Sequence, residues 1–223
     1  MKTIILAIIL IFLNIACENT TNNTSAGIDT QTDSAVTSAG DQQEKDSVSK
    51  DQNGSSNDLI IPGKQIGKTQ IGDDPEMLIK NLGKPDSSDA AMGKAWLFWN
   101  GKRDEHNNKT LLAVYTTYKD NTMKEKIVKL IYSTSSFFKT SNGIGVYSDL
   151  GEIKKQFPGL QQAAQFKERN SDRMIHIYTD KNQGIAYETA EARDQQICIA
   201  VTVYMPNENL LDLYIPLHNE IQK

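Results

Sequence analysis

The chain opens with an unbroken apolar run, residues 4–13, that follows a single positive charge at Lys2. The run is about ten residues long, which is shorter than the roughly 20 that a membrane-spanning helix needs and typical of a signal-peptide core. From residue 18 to residue 58 the pattern reverses, because polar residues dominate and the few aliphatic residues stand alone. Such a segment buries too little apolar surface to offset its ordering entropy, so the sequence predicts a disordered tether with a span of roughly 30–40 Å.

A cysteine follows the apolar run, in the phrase Asn14-Ile15-Ala16-Cys17. This phrase resembles the lipobox of bacterial lipoproteins, in which the cysteine is diacylated and the chain is cleaved just before it. It departs from the family pattern at Asn14, where the family has Leu. The resemblance implies that residues 1–16 are a signal peptide and that Cys17 becomes the lipid-carrying first residue, with palmitate among its acyl chains. The alternative is an ordinary secretory signal, cut near Ala16, that leaves Cys17 as a plain thiol.

Beyond the tether, residues 71–85 and residues 144–158 share one pattern. Each segment begins with Ile-Gly, continues with a helix-capping residue and ends at a Gly or Pro stop. Asp74, directly before a proline, is a good start for the first helix, and Asp149 with its preceding serine serves the second. Apolar residues three or four positions apart then give each helix one apolar stripe. These residues are Leu78, Leu82, Leu150, Ile153 and Phe157.

Three strand-like runs, rich in β-branched and aromatic residues and separated by short polar turns, follow each predicted helix. They are residues 95–99, 111–118 and 126–133 in the first half, and residues 174–179, 184–188 and 196–204 in the second. The sequence therefore predicts an α+β fold of two tandem repeats, each a helix plus a three-stranded antiparallel meander, with the helices packed on one face of the sheet. The repeats would occupy residues 59–140 and 141–206, and a C-terminal segment, residues 207–223, would pack on the second repeat.

The opening phrase of the first repeat, residues 71–85, resembles the first helix of small outer-membrane lipoproteins of the SmpA/OmlA type. The tandem arrangement resembles the β-lactamase-inhibitor-protein-like fold, and residues 143–150 and 184–188 are similar to phrases in lipoproteins of that shape. The resemblance covers most of residues 60–204 and lies in turn glycines and helix stripes, not in catalytic motifs. It implies a protein-binding or envelope-assembly role, since proteins of this type act through their sheet face and loops.

The charged and nucleophilic residues form no recognisable reaction centre. The chain has a formal net charge of −4 and no basic block, which gives no support to nucleic-acid binding. His106, His176 and His218 lie far apart without metal-ligand spacing, and the acidic pair that begins at Asp73 is better explained by helix capping than by a calcium loop. Cys198 lies in a predicted central strand, where a thiol behaves as a small apolar residue. We therefore expect no catalytic residue, no metal and no cofactor, and a protein that is not an enzyme.

Aromatic residues give the stronger functional signal, because several fall close together in the first half. Trp96 and Phe98 share one face of a predicted strand, and Trp99 lies on the other face. Tyr115 follows on the next strand. Aromatic rings on an uncovered sheet face would mark a binding surface, and these four residues are the candidates for it, with the two tryptophans first. The alternative, which we expect for most of the rings, is that they form the core.

Together these patterns predict a membrane-anchored lipoprotein of the bacterial cell envelope that binds a protein partner and has no catalytic activity. The membrane itself is a partner through the acyl anchor on Cys17. Glu18 follows the anchor, in place of the aspartate that is often linked to inner-membrane retention, which favours the outer membrane. The alternative is a small-ligand-binding or inhibitor-type module that uses a cleft between the two repeats.

Overall fold

The computed structural model describes residues 56–168 and 171–214. The predicted signal peptide, the lipid site at Cys17, nearly all of the tether, His218 and the end of the C-terminal segment lie outside the described residues. The first described element, Ser56–Asp58, is a short 3-10 helix. No helix within the described ranges is long and apolar enough to cross a membrane.

Strands dominate the described chain, and its α-helices are short. In chain order the elements are β1 (Ile60–Ile61), β2 (Gln65–Ile66), β3 (Thr69–Gln70), α1 (Pro75–Leu82), β4 (Ser87–Ala91), β5 (Lys94–Arg103), β6 (Lys109–Tyr118), β7 (Lys126–Ser133), α2 (Leu150–Gln156), β8 (Gln161–Lys167), β9 (Met174–Asp180), β10 (Ile185–Ala192), β11 (Gln195–Tyr204) and α3 (Leu210–Tyr214). The longest of these helices, α1, has 8 residues, whereas β5, β6 and β11 have 10 residues each. The described part of the protein is therefore organised by its strands.

Eight strands form one antiparallel sheet, in the order β4-β5-β6-β7-β11-β10-β9-β8. The order is symmetric about its centre, because the strands that follow α1 and the strands that follow α2 extend outward from the neighbours β7 and β11. These two central strands pair from Leu130 opposite Tyr204 to Ser133 opposite Val201. Strands β1, β2 and β3 form a separate three-stranded sheet.

Parts of the central strands β7 and β11 do not pair with each other. There the two strands form backbone hydrogen bonds with the loops that precede α1 and α2. On β7, the backbone N–H of Val128 donates to the carbonyl of Asp73 at 2.9 Å. On β11, the N–H of Cys198 donates to the carbonyl of Ser148 at the same distance. These bonds fix the start of each helix against the sheet, so that α1 packs on β7 and α2 packs on β11.

Both of these helices begin at the aspartate that the sequence indicates. The side chain of Asp74 accepts a hydrogen bond from the N–H of Glu76 at 2.9 Å, and that of Asp149 accepts from the N–H of Gly151 at 2.7 Å. Each bond satisfies one of the free N–H groups of a first helical turn. The predicted helix starts are thus confirmed, and the buried residues of both helices come from the predicted apolar stripes.

The predicted fold class, an α+β arrangement of helix plus three-stranded repeats, is wrong. The described chain is mainly β, and four strands rather than three follow each of α1 and α2. All eight join one continuous sheet instead of forming separate three-stranded units. The two predicted helices, α1 and α2, do pack on one face of the sheet, whereas α3 packs on the opposite face.

The prediction failed at the two edge strands, β4 and β8. Their sequences, Ser-Ser-Asp-Ala-Ala and Gln-Gln-Ala-Ala-Gln-Phe-Lys, contain almost none of the β-branched and aromatic residues on which a strand prediction depends. Pairing with β5 and with β9 nevertheless extends both segments, so the neighbouring strand overrides the weak local preference. The six predicted runs lie in β5, β6, β7, β9, β10 and β11.

The large sheet has apolar side chains on both faces, because alternate residues of each strand point to opposite sides. The helix face carries α1, α2 and parts of the small sheet, and its buried residues include Leu78, Val128, Ile153, Tyr187 and Cys198. The aromatic face is the opposite side. Its buried residues are Trp96, Ala113, Tyr115, Leu130, Tyr132, Phe166, Ile175, Ile177, Ala186, Ala190, Ala200, Tyr204 and Leu210.

Two buried tyrosines, one on each face, allow a matched test of the core. Tyr187 and Tyr204 are both 0% exposed. The hydroxyl of Tyr187 has no hydrogen-bond partner among the described residues. In contrast, the hydroxyl of Tyr204 lies 2.5 Å from that of Thr179. A buried polar group without a partner costs about 1–3 kcal/mol, whereas a typical hydrogen bond contributes about 1 kcal/mol.

We expect Tyr187→Phe to leave the free energy of unfolding unchanged or to raise it by about 1 kcal/mol, because it removes an unsatisfied hydroxyl. Tyr204→Phe should lower the free energy of unfolding by about 1 kcal/mol, because it removes a hydrogen bond. Urea unfolding followed by circular dichroism measures both changes. An equal loss of stability in the two variants would contradict this account of the core.

Candidate functional site on the aromatic face

Three of the four residues predicted to form a binding surface lie together on the aromatic face. Trp96 and Phe98 are two positions apart on β5, and their stacked rings have centroids 6.1 Å apart. Tyr115 on β6 lies directly opposite Trp96, with ring centroids 5.3 Å apart. The pairing of β5 with β6 therefore gathers these rings into one cluster.

The fourth residue, Trp99, lies on the helix face. Its ring is partly buried against the helix-face core, and its indole N–H donates to the carbonyl of Gly83 at 3.0 Å. Gly83 ends α1 with a φ of 86°, which favours glycine. The hydrogen bond of Trp99 thus holds the end of α1 on the sheet. Trp99 does not belong to the ring cluster that the other three residues form.

The clustered rings do not form an open surface. Trp96 is 3% exposed and Tyr115 is 4% exposed, while Phe98 is half-buried. The indole N–H of Trp96 is buried and has no hydrogen-bond partner in the described part of the chain. The burial of Trp96 and Tyr115 agrees with the core alternative, so a partner reaches these rings only if a covering element moves.

The aromatic face also contains residues that sequence analysis did not assign to the candidate site. They come from four further strands and are Leu130, Tyr132, Phe166, Ile175, Ile177 and Tyr204. The alternation of Ile175 and Ile177 around a histidine is typical of a strand with one apolar side. It does not reveal that this side is shared with Trp96, because β9 and β5 are brought into one sheet only by the strand order.

One acidic side chain lies within this apolar face. Glu188 on β10 is 2% exposed, and the hydroxyl of Tyr132 donates to its Oε2 at 3.3 Å. Burial, and after it the charge of Glu188, raises the pKa of Tyr132 well above its usual value. The carboxyl group gives the face a fixed polar point that can orient a bound segment.

The aromatic face takes few of its described members from outside the large sheet. Of its cluster members that the structure describes, only Leu210 and Leu213, both in α3, come from outside the large sheet. The cluster extends from β5 to β8, which is roughly 29 Å at a strand spacing of 4.8 Å. A helix is about 10–12 Å across, and five of its residues are about 7.5 Å long. Helix α3 is therefore too small to account alone for the burial of this face, whose members Trp96, Phe166 and Ile177 are 3%, 7% and 0% exposed.

A bulge in β7 positions Lys129 for an ion pair with Glu208, which lies in the segment between β11 and α3. The register with β6 shifts between Tyr115 and Thr116, which leaves Lys129 as the extra residue. The Nζ of Lys129 lies 2.9 Å from Oε1 of Glu208 and 3.6 Å from Sδ of Met205. Burial first, and the charge of Glu208 to a smaller extent, raises the pKa of Tyr115.

Few interactions hold α3 on the face. Leu210 is 3% exposed and Leu213 is partly buried, so their burial together stabilises the contact by roughly 3 kcal/mol. The partly exposed pair of Lys129 and Glu208 adds up to about 1 kcal/mol.

The residues considered for chemistry lie elsewhere. The ring of His106 packs on that of Tyr147 with centroids 4.3 Å apart, and the Tyr147 hydroxyl donates to Asp104. This contact ties the β5–β6 loop to the loop before α2. Cys198 is fully buried, and burial raises the pKa of its thiol, which makes it a poor nucleophile. No group of three or more His, Cys, Asp or Glu side chains within the described ranges could hold a metal ion.

The two halves of the sheet are joined rather than separated. Because β7 and β11 are hydrogen-bonded neighbours, the two halves share one sheet, and the ligand cleft between repeats stays a prediction. An open cleft of about 1000 Å³ lies between the start of α1 and the β6–β7 turn, and Asp74, Glu76, Lys119 and Lys124 are among its lining residues. Its walls carry charges of both signs, unlike the mostly apolar pockets that small ligands prefer.

The aromatic face is the candidate site because it combines clustered rings with a buried carboxyl. No protein-family model, curated protein or solved structure matches this chain. The candidate site therefore depends on the geometry of this chain alone.

The two tryptophans of the chain should report their different surroundings. We expect Trp99→Phe, which leaves Trp96, to give emission at a shorter wavelength and weak quenching by acrylamide, because Trp96 is buried. Trp96→Phe, which leaves the half-buried Trp99, should give emission at a longer wavelength and stronger quenching. Steady-state fluorescence of the two single-tryptophan variants makes the comparison. Equal quenching of both would contradict the assignment of the two residues to their faces.

Proposed function

We propose that this chain is a lipid-anchored, non-catalytic protein-binding module of the bacterial cell envelope, and that its aromatic face receives the partner. The observation that carries this proposal is the ring cluster of Trp96, Phe98 and Tyr115, which reaches the surface at the half-buried Phe98.

The composition of the face supports a protein partner. Aromatic residues are enriched at the energetic centres of protein interfaces. The face contains Trp96, Phe98, Tyr115, Tyr132 and Phe166, of which Phe98 is half-buried and the others are buried. Glu188 supplies one buried polar group among them, which favours a defined orientation of the partner. The resemblance of residues 71–85 to small outer-membrane lipoproteins points to the same kind of role.

The N-terminal sequence supports the anchored part of the proposal. A lipid on Cys17 and a tether of roughly forty residues would let the folded part reach about 30–40 Å from the bilayer. Glu18 after the anchor favours the outer membrane. In this arrangement the lipid determines the location, and the aromatic face determines the partner.

We expect Cys17→Ala to abolish the incorporation of labelled palmitate and to move the chain from the membrane fraction to the soluble fraction. Fractionation of the native host with an antibody to the chain measures the shift. The matched control is Cys198→Ala, which changes a buried thiol and should leave both labelling and location unchanged. Membrane-bound, labelled Cys17→Ala protein would contradict the anchor.

The partner site can be tested by comparing two exposed or half-exposed phenylalanines. Phe98 borders the ring cluster of the aromatic face, whereas Phe137 is 64% exposed and lies outside that cluster. We expect Phe98→Ser to weaken capture of a specific envelope protein about tenfold, which corresponds to about 1.4 kcal/mol. Phe137→Ser should capture it as the wild type does.

The measurement is affinity capture from detergent-solubilised envelope of the native host, followed by titration with the purified captured protein. Thermal unfolding of both variants confirms that each remains folded. Equal binding by Phe98→Ser and wild type would exclude the aromatic face as the partner site.

A further inference from the structure

Two turns at one end of the large sheet carry exposed methionines. Met92 and Gly93 form the β4–β5 turn, and residues 119–125 form the β6–β7 turn. Met92 is 98% exposed and Met123 is 67% exposed. We propose that these two turns dock on an anionic lipid bilayer, so that the methionines enter the lipid and the neighbouring lysines contact its headgroups.

The strand order places the two turns side by side. Strands β4, β5, β6 and β7 are consecutive neighbours in the sheet, so the centres of the turns lie two strand spacings apart, which is roughly 10 Å. The ring of Tyr118, the last residue of β6, packs directly against Gly93 and leaves no room there for a Cβ atom. The β4–β5 turn therefore lies level with the start of the β6–β7 turn, and both turns lie at the same end of the sheet.

Both methionines have a backbone conformation that methionine rarely adopts. Met92 has a φ of 50° and Met123 a φ of 55°, in the left-handed region where glycine and asparagine are the common residues. This conformation costs backbone strain, and neither side chain gains burial in return. Packing within the chain therefore does not explain a methionine at these positions, whereas contact with an apolar phase outside the chain does.

The β6–β7 turn is held in shape by its own hydrogen bonds. The N–H of Lys119 donates to the carbonyl of Glu125 at 2.9 Å, and the N–H of Met123 donates to the carbonyl of Asp120 at 3.3 Å. The carboxylate of Asp120 also accepts from the N–H of Thr122 at 2.9 Å. An organised turn thus presents Met123 to solvent.

The charge of the two turns is opposite in sign to that of the chain. Residues 92–94 and 119–126 contain four lysines and two acidic residues, which leaves a net charge of +2, whereas the whole chain has −4. The lysines are Lys94, Lys119, Lys124 and Lys126. Asp74 and Glu76 line the cleft beside the β6–β7 turn, so the positive excess is confined to the turns. Such a patch attracts anionic headgroups, and the attraction weakens as salt is added.

Weak docking is sufficient for a chain that the bilayer already holds. A tether of roughly forty residues would keep the turns at an effective concentration on the order of millimolar. Docking would also place the large sheet with one strand end on the bilayer. Phe98 is six residues from Met92 along the chain, so it would lie roughly 20 Å from the lipid surface. The lipid-binding turns are thus separate from the proposed partner site and leave it accessible.

Vesicle binding by the chain without its lipid tests the inference. The protein is the chain from residue 17 onward with Cys17→Ala. The probes are vesicles of phosphatidylglycerol with phosphatidylethanolamine, and vesicles of phosphatidylcholine alone. We expect co-sedimentation with the anionic vesicles at low salt, and affinity at least about fivefold lower for phosphatidylcholine or after salt is raised.

A variant with asparagine in both turns separates lipid contact from folding. Met92→Asn with Met123→Asn removes the apolar side chains and supplies a residue that accepts a positive φ. The melting temperature should stay the same or rise, while the affinity for anionic vesicles falls at least about fivefold. Lys124→Gln with Lys126→Gln should also lower the affinity and should reduce its salt dependence. The matched control is Phe137→Ser, which removes a ring that is 64% exposed beyond the other end of β7 and should bind as the parent does.

Three results would overturn the inference. They are no binding of the parent to anionic vesicles, equal binding to anionic and phosphatidylcholine vesicles, and equal binding by the double-asparagine variant and the parent. If the parent binds no vesicles but the double-asparagine variant loses a captured envelope protein, the turns are a protein interface and the lipid proposal fails. The partner site is tested separately by Phe98→Ser, so either proposal can fail while the other stands.

Discussion

The ladder between β7 and β11 is the contact on which the rest of this structure depends. It joins the strands that follow α1 to those that follow α2, so both halves share a core on each face of one sheet. The two strands pair over only part of their length, and the remaining parts bind the loops before the helices. The same ladder therefore sets the strand order and the positions of α1 and α2. Without it, each half would expose an additional sheet edge.

A sheet with two apolar faces needs cover on both, and the two covers differ. The helix face is packed by α1, α2, the small sheet and several loops, and Trp99 fastens the end of α1 to it. The aromatic face receives α3 and has a buried carboxyl among its rings. Because apolar burial is the main favourable term in folding, both faces support the fold, since each holds a cluster of buried residues.

A bulge in β7 links the aromatic face to the segment at the end of the described chain. The bulge at Lys129 directs a cation toward Glu208, just before α3, while the neighbouring Leu130 and Tyr132 remain on the aromatic face. A strand irregularity thus supplies a weak, partly exposed attachment for a helix that is held mainly by two leucines.

Local patterns determined several features of this protein. Aspartate caps gave the helix starts, β-branched and aromatic runs gave six strands, and alternation of two placed Trp96 and Phe98 on the face opposite to Trp99. Only the tertiary structure decided that β4 and β8 are strands, that the halves merge into one sheet, that Trp96 is buried and that α3 lies opposite to α1 and α2. The physical reason is that periodicity defines sides relative to one element, whereas strand order, edge pairing and cover depend on contacts between residues far apart in the chain.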